Sequence, residues 1–360
     1  MQQRWFTLVP CAALLLSCGD KGQVSSSSSS TSGEDTTSSG SATTASGTPT
    51  TSGGTMSTGS GAASACTAKG ADKPGWDLVW CDEFDGPAID ETKWTFDIGD
   101  GGDRPSGAGW GNQEKEYYTR RTENAQIKDG NLVISALKDG PHYANGGAAY
   151  DYSSARMATR GKADWTFGRM EARAKLPKGQ GLWPAFWMLP TDSAYGGWAS
   201  SGEIDIMECK GQAPDTIYGT LHFGDQWPKN QFVGCSLKLA TSFADDFHIF
   251  AVEWDASGVH LFVDDIVYET QLPKGATPPS SVCVGADGKT PVTPNVNENV
   301  KDAKAGYFSA GGDAPAPFNR PFHILLNMAV GGQFVGGTVD PAVFPQTMVV
   351  DYVRVYQKSK

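Results

Sequence analysis

The sequence predicts an all-β domain, an antiparallel β-sandwich or jelly roll, on three observations. Apolar and polar residues alternate with a period of two in many short runs, as they do when one face of a strand packs on a core and the other meets solvent. Turn-forming residues punctuate these runs, with 44 glycines and 21 prolines in 360 residues. Long helical periodicity is missing between them, which argues against a parallel α/β sheet, whose crossovers need helices.

Residues 1–18 read as an export signal. One early positive charge at Arg4 precedes a short apolar run, Ala12 to Leu16, too short to span a bilayer as a helix. Leu15-Leu16-Ser17-Cys18 is similar to a bacterial lipobox, so Cys18 is the expected lipidation site and the protein an exported cell-envelope lipoprotein; a non-lipidated signal on a secreted protein is the alternative. Residues 19–65 form a Ser/Thr/Gly-rich linker with too little apolar surface to offset the entropy of ordering, and are expected to be disordered. Its low-complexity part spans roughly 35 Å as a flexible coil.

The folded domain is expected over residues 66–360. Trp76, Leu78 and Trp80 alternate with Asp77 and Val79 as a first strand. The same patterning places strands at Leu132 to Leu137, Ser154 to Thr159, Gly168 to Leu176, Trp183 to Leu189 and Gly202 to Glu208. Further strands follow at Ile217 to His222, Phe247 to Trp254, Val259 to Val263, Ile266 to Glu269, Phe322 to Val330 and Met348 to Tyr356. Lys274 to Phe318, rich in Pro, Gly, Ser and Asn, is expected to be a long surface loop.

The net charge of −11 becomes −10 once Arg4, Lys21, Asp20, Glu34 and Asp35 are set aside, and no basic run interrupts it. Nucleic acid is thereby excluded as a partner, and a highly sulfated polysaccharide is disfavoured. Beyond Cys11 and Cys18 five cysteines remain, Cys66, Cys81, Cys209, Cys235 and Cys283. An odd number in an exported domain implies one or two disulfides and at least one free thiol, and no C-x-x-C spacing supports zinc.

Gly202-Glu203-Ile204-Asp205-Ile206-Met207-Glu208 is the stretch that demands chemistry. Alternation puts Glu203 and Asp205 on one face and Ile204 and Ile206 on the other, and would bury Glu208. A β-bulge at Ile206 or Met207 returns Glu208 to the acidic face. Glu203 and Glu208 then stand about four strand steps apart, roughly 13 Å between Cα atoms. Leaning inward over Asp205, their carboxyls could approach the ~5 to 5.5 Å separation of a retaining glycosidase. Crowding three acids raises at least one pKa, which favours a protonated acid beside an ionised nucleophile. An exposed acidic strand edge is the plainer reading of the same pattern.

Nearby residues suit a sugar ligand. Trp183 and Trp187 share a strand face and could stack on successive rings, although core packing is the commoner use of such a pair. In Gly109-Trp110-Gly111-Asn112-Gln113-Glu114, Asn112 and Glu114 could bind hydroxyls. Arg156 could pair with a carboxylate or donate to a sugar, and His222 lies on the strand after the acidic one.

Taken together, Trp183-Pro184-Ala185-Phe186-Trp187-Met188-Leu189, the acidic stretch, Gly219-Thr220-Leu221-His222, Trp110 to Glu114 and Asp351-Tyr352-Val353-Arg354-Val355-Tyr356 resemble the family 16 glycoside hydrolases, most nearly the bacterial laminarinases, which are endo-β-1,3-glucanases. The resemblance runs from Trp76 to Tyr356. It implies a jelly roll with a concave sugar-binding cleft and a retaining double displacement on internal β-1,3-glucosidic bonds. Glu203 would be the nucleophile, Glu208 the acid and base, and Asp205 their tuning partner. Asn112, Arg156, Trp183, Trp187 and His222 would bind glucosyl units. No catalytic cofactor is implied. A structural calcium would sit at Glu83, Gly130 and Asp351, partly on backbone carbonyls, and the protein would be a monomer. The extra residue at Met207 places the chain with laminarinases, agarases and carrageenases rather than with the shorter E-x-D-x-E form. Mixed-linkage β-glucan, a galactan such as agarose, or glucan binding without turnover remain alternatives. Cys209, Cys235 and the Lys274 to Phe318 insertion depart from a minimal laminarinase.

Overall fold

The computed structural model describes residues 66, 68, 70–144, 146–276 and 281–360. Segments 1–18 and 19–65, Cys18 among them, lie outside the described residues. The domain is built almost wholly of strands. In chain order these are β1 (Trp76–Asp82), β2 (Thr95–Asp97), β3 (Glu116–Tyr118), β4 (Ala125–Lys128), β5 (Asn131–Ala136), β6 (His142–Tyr143) and β7 (Ala149–Tyr150). There follow β8 (Tyr152–Ser154), β9 (Arg156–Ala158), β10 (Gly168–Lys175), β11 (Leu182–Pro190), β12 (Glu203–Cys209), β13 (Thr216–Gly224), β14 (Asn230–Lys238), β15 (His248–Asp255) and β16 (Gly258–Val263). The last are β17 (Ile266–Gln271), β18 (Val282–Val284), β19 (Pro291–Val292), β20 (Asn295–Val296), β21 (Phe322–Val330) and β22 (Gln346–Lys358). Two short 3₁₀ turns, Ala108–Gly111 and Pro341–Val343, are the helical pieces among the described residues.

The strands form two large sheets. One runs β19-β18-β17-β16-β15-β10-β22-β5-β4, with β1 added against β22; the other runs β2-β9-β21-β11-β12-β13-β14-β20. The ladders that carry the acidic stretch, from β21 through β11, β12 and β13 to β14, are all antiparallel. Between the sheets one apolar core takes Met170, Ala172, Val252, Leu261 and Val353 from the first and Phe186, Ile204, Ile206, Met207, Leu221 and Leu326 from the second. Burying both faces of a central strand demands a nearly continuous apolar run. β21, Phe-His-Ile-Leu-Leu-Asn-Met-Ala-Val, is buried along its whole length. Cys66–Cys81 ties the start of the domain to β1, Cys235–Cys283 joins β14 to β18, and Cys209 is a buried free thiol. The cysteine count implied one or two bridges and at least one free thiol; two bridges and one free cysteine are present among the described residues.

The expected surface loop at Lys274 to Phe318 needs correction. Its described part contains β18 and β19, which extend one sheet, and β20, which extends the other. Tyr307 and Phe318 are fully buried and meet edge to face at 4.8 Å. Strands of two or three residues are too short to show an alternation, so the sequence displays only the turns around them. β14 also went unanticipated, because Gly234 and Cys235 break its pattern. Gly234 serves close packing: a Cβ there would lie 2.5 Å from the carbonyl oxygen of Gly219.

Candidate active site

The bulge expected at Ile206 or Met207 is present. Along the β12–β13 ladder Asp205 faces Thr220 and Glu208 faces Tyr218, so Ile206 and Met207 together stand against the single residue Gly219. Ile204, Ile206, Met207 and Cys209 are fully buried in the core. Glu203 and Glu208 keep part of their surface exposed, and Asp205 is buried between them in sequence.

Indole N–H groups hold the two glutamates. Trp198 Nε1 donates to Glu203 Oε2 at 2.7 Å, and Trp183 Nε1 donates to Glu208 Oε1 at 2.9 Å. Glu203 and Asp205 share a hydrogen bond. His222, directly across from Glu203 in the ladder, puts Nε2 3.2 Å from Asp205 Oδ2 and 3.9 Å from Glu203 Oε1. Burial, reinforced by the charge of Asp205, pushes the Glu203 carboxyl up to about 8 against the pull of His222 and Trp198. Burial likewise raises Asp205 to about 8. Burial and then the charge of Asp205 hold Glu208 well above the ordinary carboxylate range. Three acids so placed cannot all ionise at neutral pH, and the cluster retains protons that acid catalysis needs.

A polar and aromatic frame surrounds them. Trp187 Nε1 donates to Asn327 Oδ1 at 2.7 Å; Asn327 Nδ2 donates to the Tyr118 hydroxyl at 2.9 Å, which donates on to Glu114 Oε2 at 3.3 Å. Asn112, exposed at the rim, donates to Glu114 Oε1 at 3.1 Å. The Arg156 guanidinium lies 4.4 Å from the Trp110 ring and 4.7 Å from that of Trp187, and pairs with the buried Asp97 at 3.1 Å. Arg156 therefore makes a buried ion pair rather than a surface one. Burial opposes ionisation of Asp97, yet the guanidiniums of Arg156, Arg160 and Arg104 outweigh it and keep its carboxyl below the usual range. Near Glu208, Trp183 packs against Phe334 at 5.0 Å, and Phe334 meets Tyr218 at 5.3 Å.

Of the expected sugar-binding set, Trp183 and His222 contact the carboxylates directly, whereas Trp187, Arg156 and Asn112 join through Asn327, Trp110 and Glu114. Trp198, Asn327 and Phe334 were not anticipated. Asn327 had a signal, a lone amide inside an otherwise apolar strand, which a fully buried strand tolerates only with partners. Trp198 sits in a Gly/Ser-rich turn with no periodicity to mark it.

The expected calcium residues fare differently. Both oxygens of Glu83 accept from Arg354, at 2.8 and 2.7 Å, and Asp351 accepts from Arg173 at 2.7 Å. Gly130 lies exposed after β4. These two carboxylates are thus neutralised by guanidinium groups and do not stand as a ready anionic cage for a hard cation.

A jelly-roll sandwich with paired glutamates around a buried aspartate, framed by tryptophans, defines a glycoside hydrolase. The sequence matches the model of glycosyl hydrolases family 16 over residues 112–282. The chain is 41% identical over 305 residues to a β-glucanase of Rhodothermus marinus, covering 81% of this chain and 90% of that one. It is 38% identical over 290 residues to glucan endo-1,3-β-glucosidase A1 of Niallia circulans, covering 79% of this chain but spanning only 38% of that longer protein. In three dimensions it is similar to the laminarinase catalytic domain of Thermotoga maritima, with 38% identity, a TM-score of 0.62, and coverage of 79% of this chain and 99% of the other. The chain belongs to glycosyl hydrolase family 16.

Proposed function

We infer that the protein hydrolyses internal β-1,3-glucosidic bonds of a laminarin-like β-glucan with retention of configuration. The observation that carries this is the bulged acidic strand, with Glu203 and Glu208 each held by an indole and Asp205 hydrogen-bonded to Glu203. In the first step the Glu203 carboxylate attacks the anomeric carbon while Glu208 delivers its proton to the departing glycosidic oxygen. In the second, Glu208 takes a proton from water, whose oxygen displaces Glu203 and releases the sugar. Asp205 and His222 tune this exchange from beneath. Trp183, Trp187, Asn112, Arg156, His222 and Asn327, the partner of Trp187, frame the glucosyl units together with Trp198, which holds Glu203. The chemistry needs no cofactor. A structural calcium remains part of the proposal only if main-chain oxygens at Glu83 and Gly130 supply what the arginine-paired carboxylates do not.

Incubation with laminarin, mixed-linkage β-glucan and agarose, followed by reducing ends and product size, tests the reading. Mid-sized oligosaccharides should appear early from laminarin, and Glu203→Gln should lower kcat by at least about 10³-fold with the fold retained, a barrier change of about 4 kcal/mol. Release from agarose alone would keep the mechanism and reassign the substrate; binding without release would leave a glucan-binding protein.

The localisation reading joins this proposal: a lipid on Cys18 would anchor the chain, and the Ser/Thr/Gly-rich linker would hold the catalytic domain off the membrane to reach a polymer outside.

A further inference from the structure

A bulge beside an active site has to be held, because its extra residue leaves ladder groups without their usual partners. Here Ile206 and Met207 oppose Gly219. Gly219 does not owe its place to an unusual backbone angle. A Cβ on it would lie 2.2 Å from the hydroxyl oxygen of Tyr268, 2.4 Å from Leu261 Cδ1 and 3.0 Å from Glu269 Oε2. The space that any other residue would fill is taken by a phenol from β17, in the opposite sheet. That hydroxyl donates to the carbonyl oxygen of Ile206 at 3.3 Å. Tyr268 is fully buried. Its neighbour Glu269 makes a second polar reach across the core, accepting from the N–H of Cys235 at 3.0 Å, and is steadied by Gln271 at 2.9 Å.

We propose that Tyr268 is a positioning residue for Glu208: its hydroxyl, seated in the gap left by Gly219, fixes the Ile206 carbonyl and with it the step at which β12 turns Glu208 into the cleft. The inference rests on the assignment of Glu208 as acid and base. Two residues farther along the strand, Glu208 inherits any slack at Ile206, and its proton is held by burial and by nearness to Asp205. A looser bulge lets Glu208 swing toward water. Burial keeps the Tyr268 hydroxyl protonated far above neutral pH, so it remains a donor through the working range. The sugar-facing Trp183, Trp187 and Asn327 lie on β11 and β21, which this hydroxyl does not touch.

The test compares the full chain with Tyr268→Phe, and with Tyr356→Phe as control for loss of a buried phenol hydroxyl that donates to Glu171 rather than to β12. On laminarin, Tyr268→Phe should lower kcat about tenfold with KM within twofold. The general acid must be protonated, so activity falls as pH rises through its pKa. A Glu208 nearer water has a lower pKa, and the alkaline limb of kcat should move to lower pH. On a laminarioside with a 2,4-dinitrophenyl leaving group, which departs without a proton, the first step should stay within twofold of the unsubstituted protein. Tyr356→Phe should leave all three readings unchanged. Unchanged kcat and pH profile, equal losses on both substrates, or a Tyr268→Phe chain that does not fold would each overturn the proposal, the last by assigning the hydroxyl to the fold. If the unsubstituted protein releases nothing from laminarin, the functional reading fails instead.

Discussion

Glu116, on a strand the sequence did not mark, pairs its carboxyl with that of Glu114. Glu116 is fully buried; its Oε2 accepts from the N–H of Val330 at 2.6 Å, and its carboxyl is hydrogen-bonded to Glu114. Burial first, and then the charge of Glu114, push its pKa well above the ordinary range. A carboxyl raised in the folded state contributes stability that is complete below the unfolded value near 4.3 and is lost as pH climbs through the folded one. Glu116→Gln keeps a donor toward Glu114 and an acceptor for Val330 but cannot ionise. The substitution should therefore be near neutral for stability at pH 4 and stabilising at pH 8. The gain is about 1.4 kcal/mol for every unit by which the folded pKa exceeds the unfolded one, up to the pH of measurement. Thermal melts across that range check it; a variant no more stable than the parent at pH 8 would mean that Glu116 ionises freely. Residues such as Glu203 and Glu208 were legible because their spacing is itself the signal. Glu116, Trp198 and Asn327 were not, because each acquires its role from a chain partner 5 to 214 residues away.

At the scale of elements, alternation identified the long strands to within a residue or two. β21 was expected at its observed bounds. Alternation missed the short strands β2, β3, β4, β6 and β7 and ran β8 and β9 together as Ser154 to Thr159; it also missed elements whose stability comes from neighbours rather than pattern, β14 with its close-packed Gly234 and the pieces β18 to β20 inside a turn-rich insertion. The latter are held by covalent and polar ties. Cys235–Cys283 closes a sequence separation of 48 residues and joins the two sheets one strand in from the edge of each. Ser281 donates to Gln271, which donates to Glu269 at 2.9 Å. A loop of that length gives about 4 kcal/mol of stabilisation through the unfolded chain. Replacing both cysteines by alanine should therefore lower the melting temperature by roughly 6 °C. Because Glu269 and the Cys235 backbone stand next to Gly219, the loss should also loosen the floor beneath the bulge. Melting with parallel laminarin assays separates the two effects: a lower Tm at unchanged kcat would confine the bridge to stability.

At the scale of the whole molecule, the order of segments in the sequence bears on the localisation proposal. The Cys66–Cys81 bridge fastens the beginning of the described domain to β1, and the family resemblance starts at Trp76. Every residue of the proposed site lies between Asp97 and Phe334. Under the localisation proposal the segment before Cys66 governs where catalysis happens rather than how fast. Cys18→Ser would remove the thiol that takes the lipid while leaving the catalytic domain untouched. In a bacterial host that processes lipoproteins, the parent chain should fractionate with membranes and be released by detergent, whereas Cys18→Ser should be found in the soluble exported fraction. Both should show the same kcat and KM on soluble laminarin. On an insoluble β-1,3-glucan presented to whole cells the anchored form should act only at the cell surface, and the substituted form throughout the medium. A parent chain recovered wholly in the soluble fraction would point to an ordinary cleaved signal and a secreted enzyme, with the same active site and a different reach.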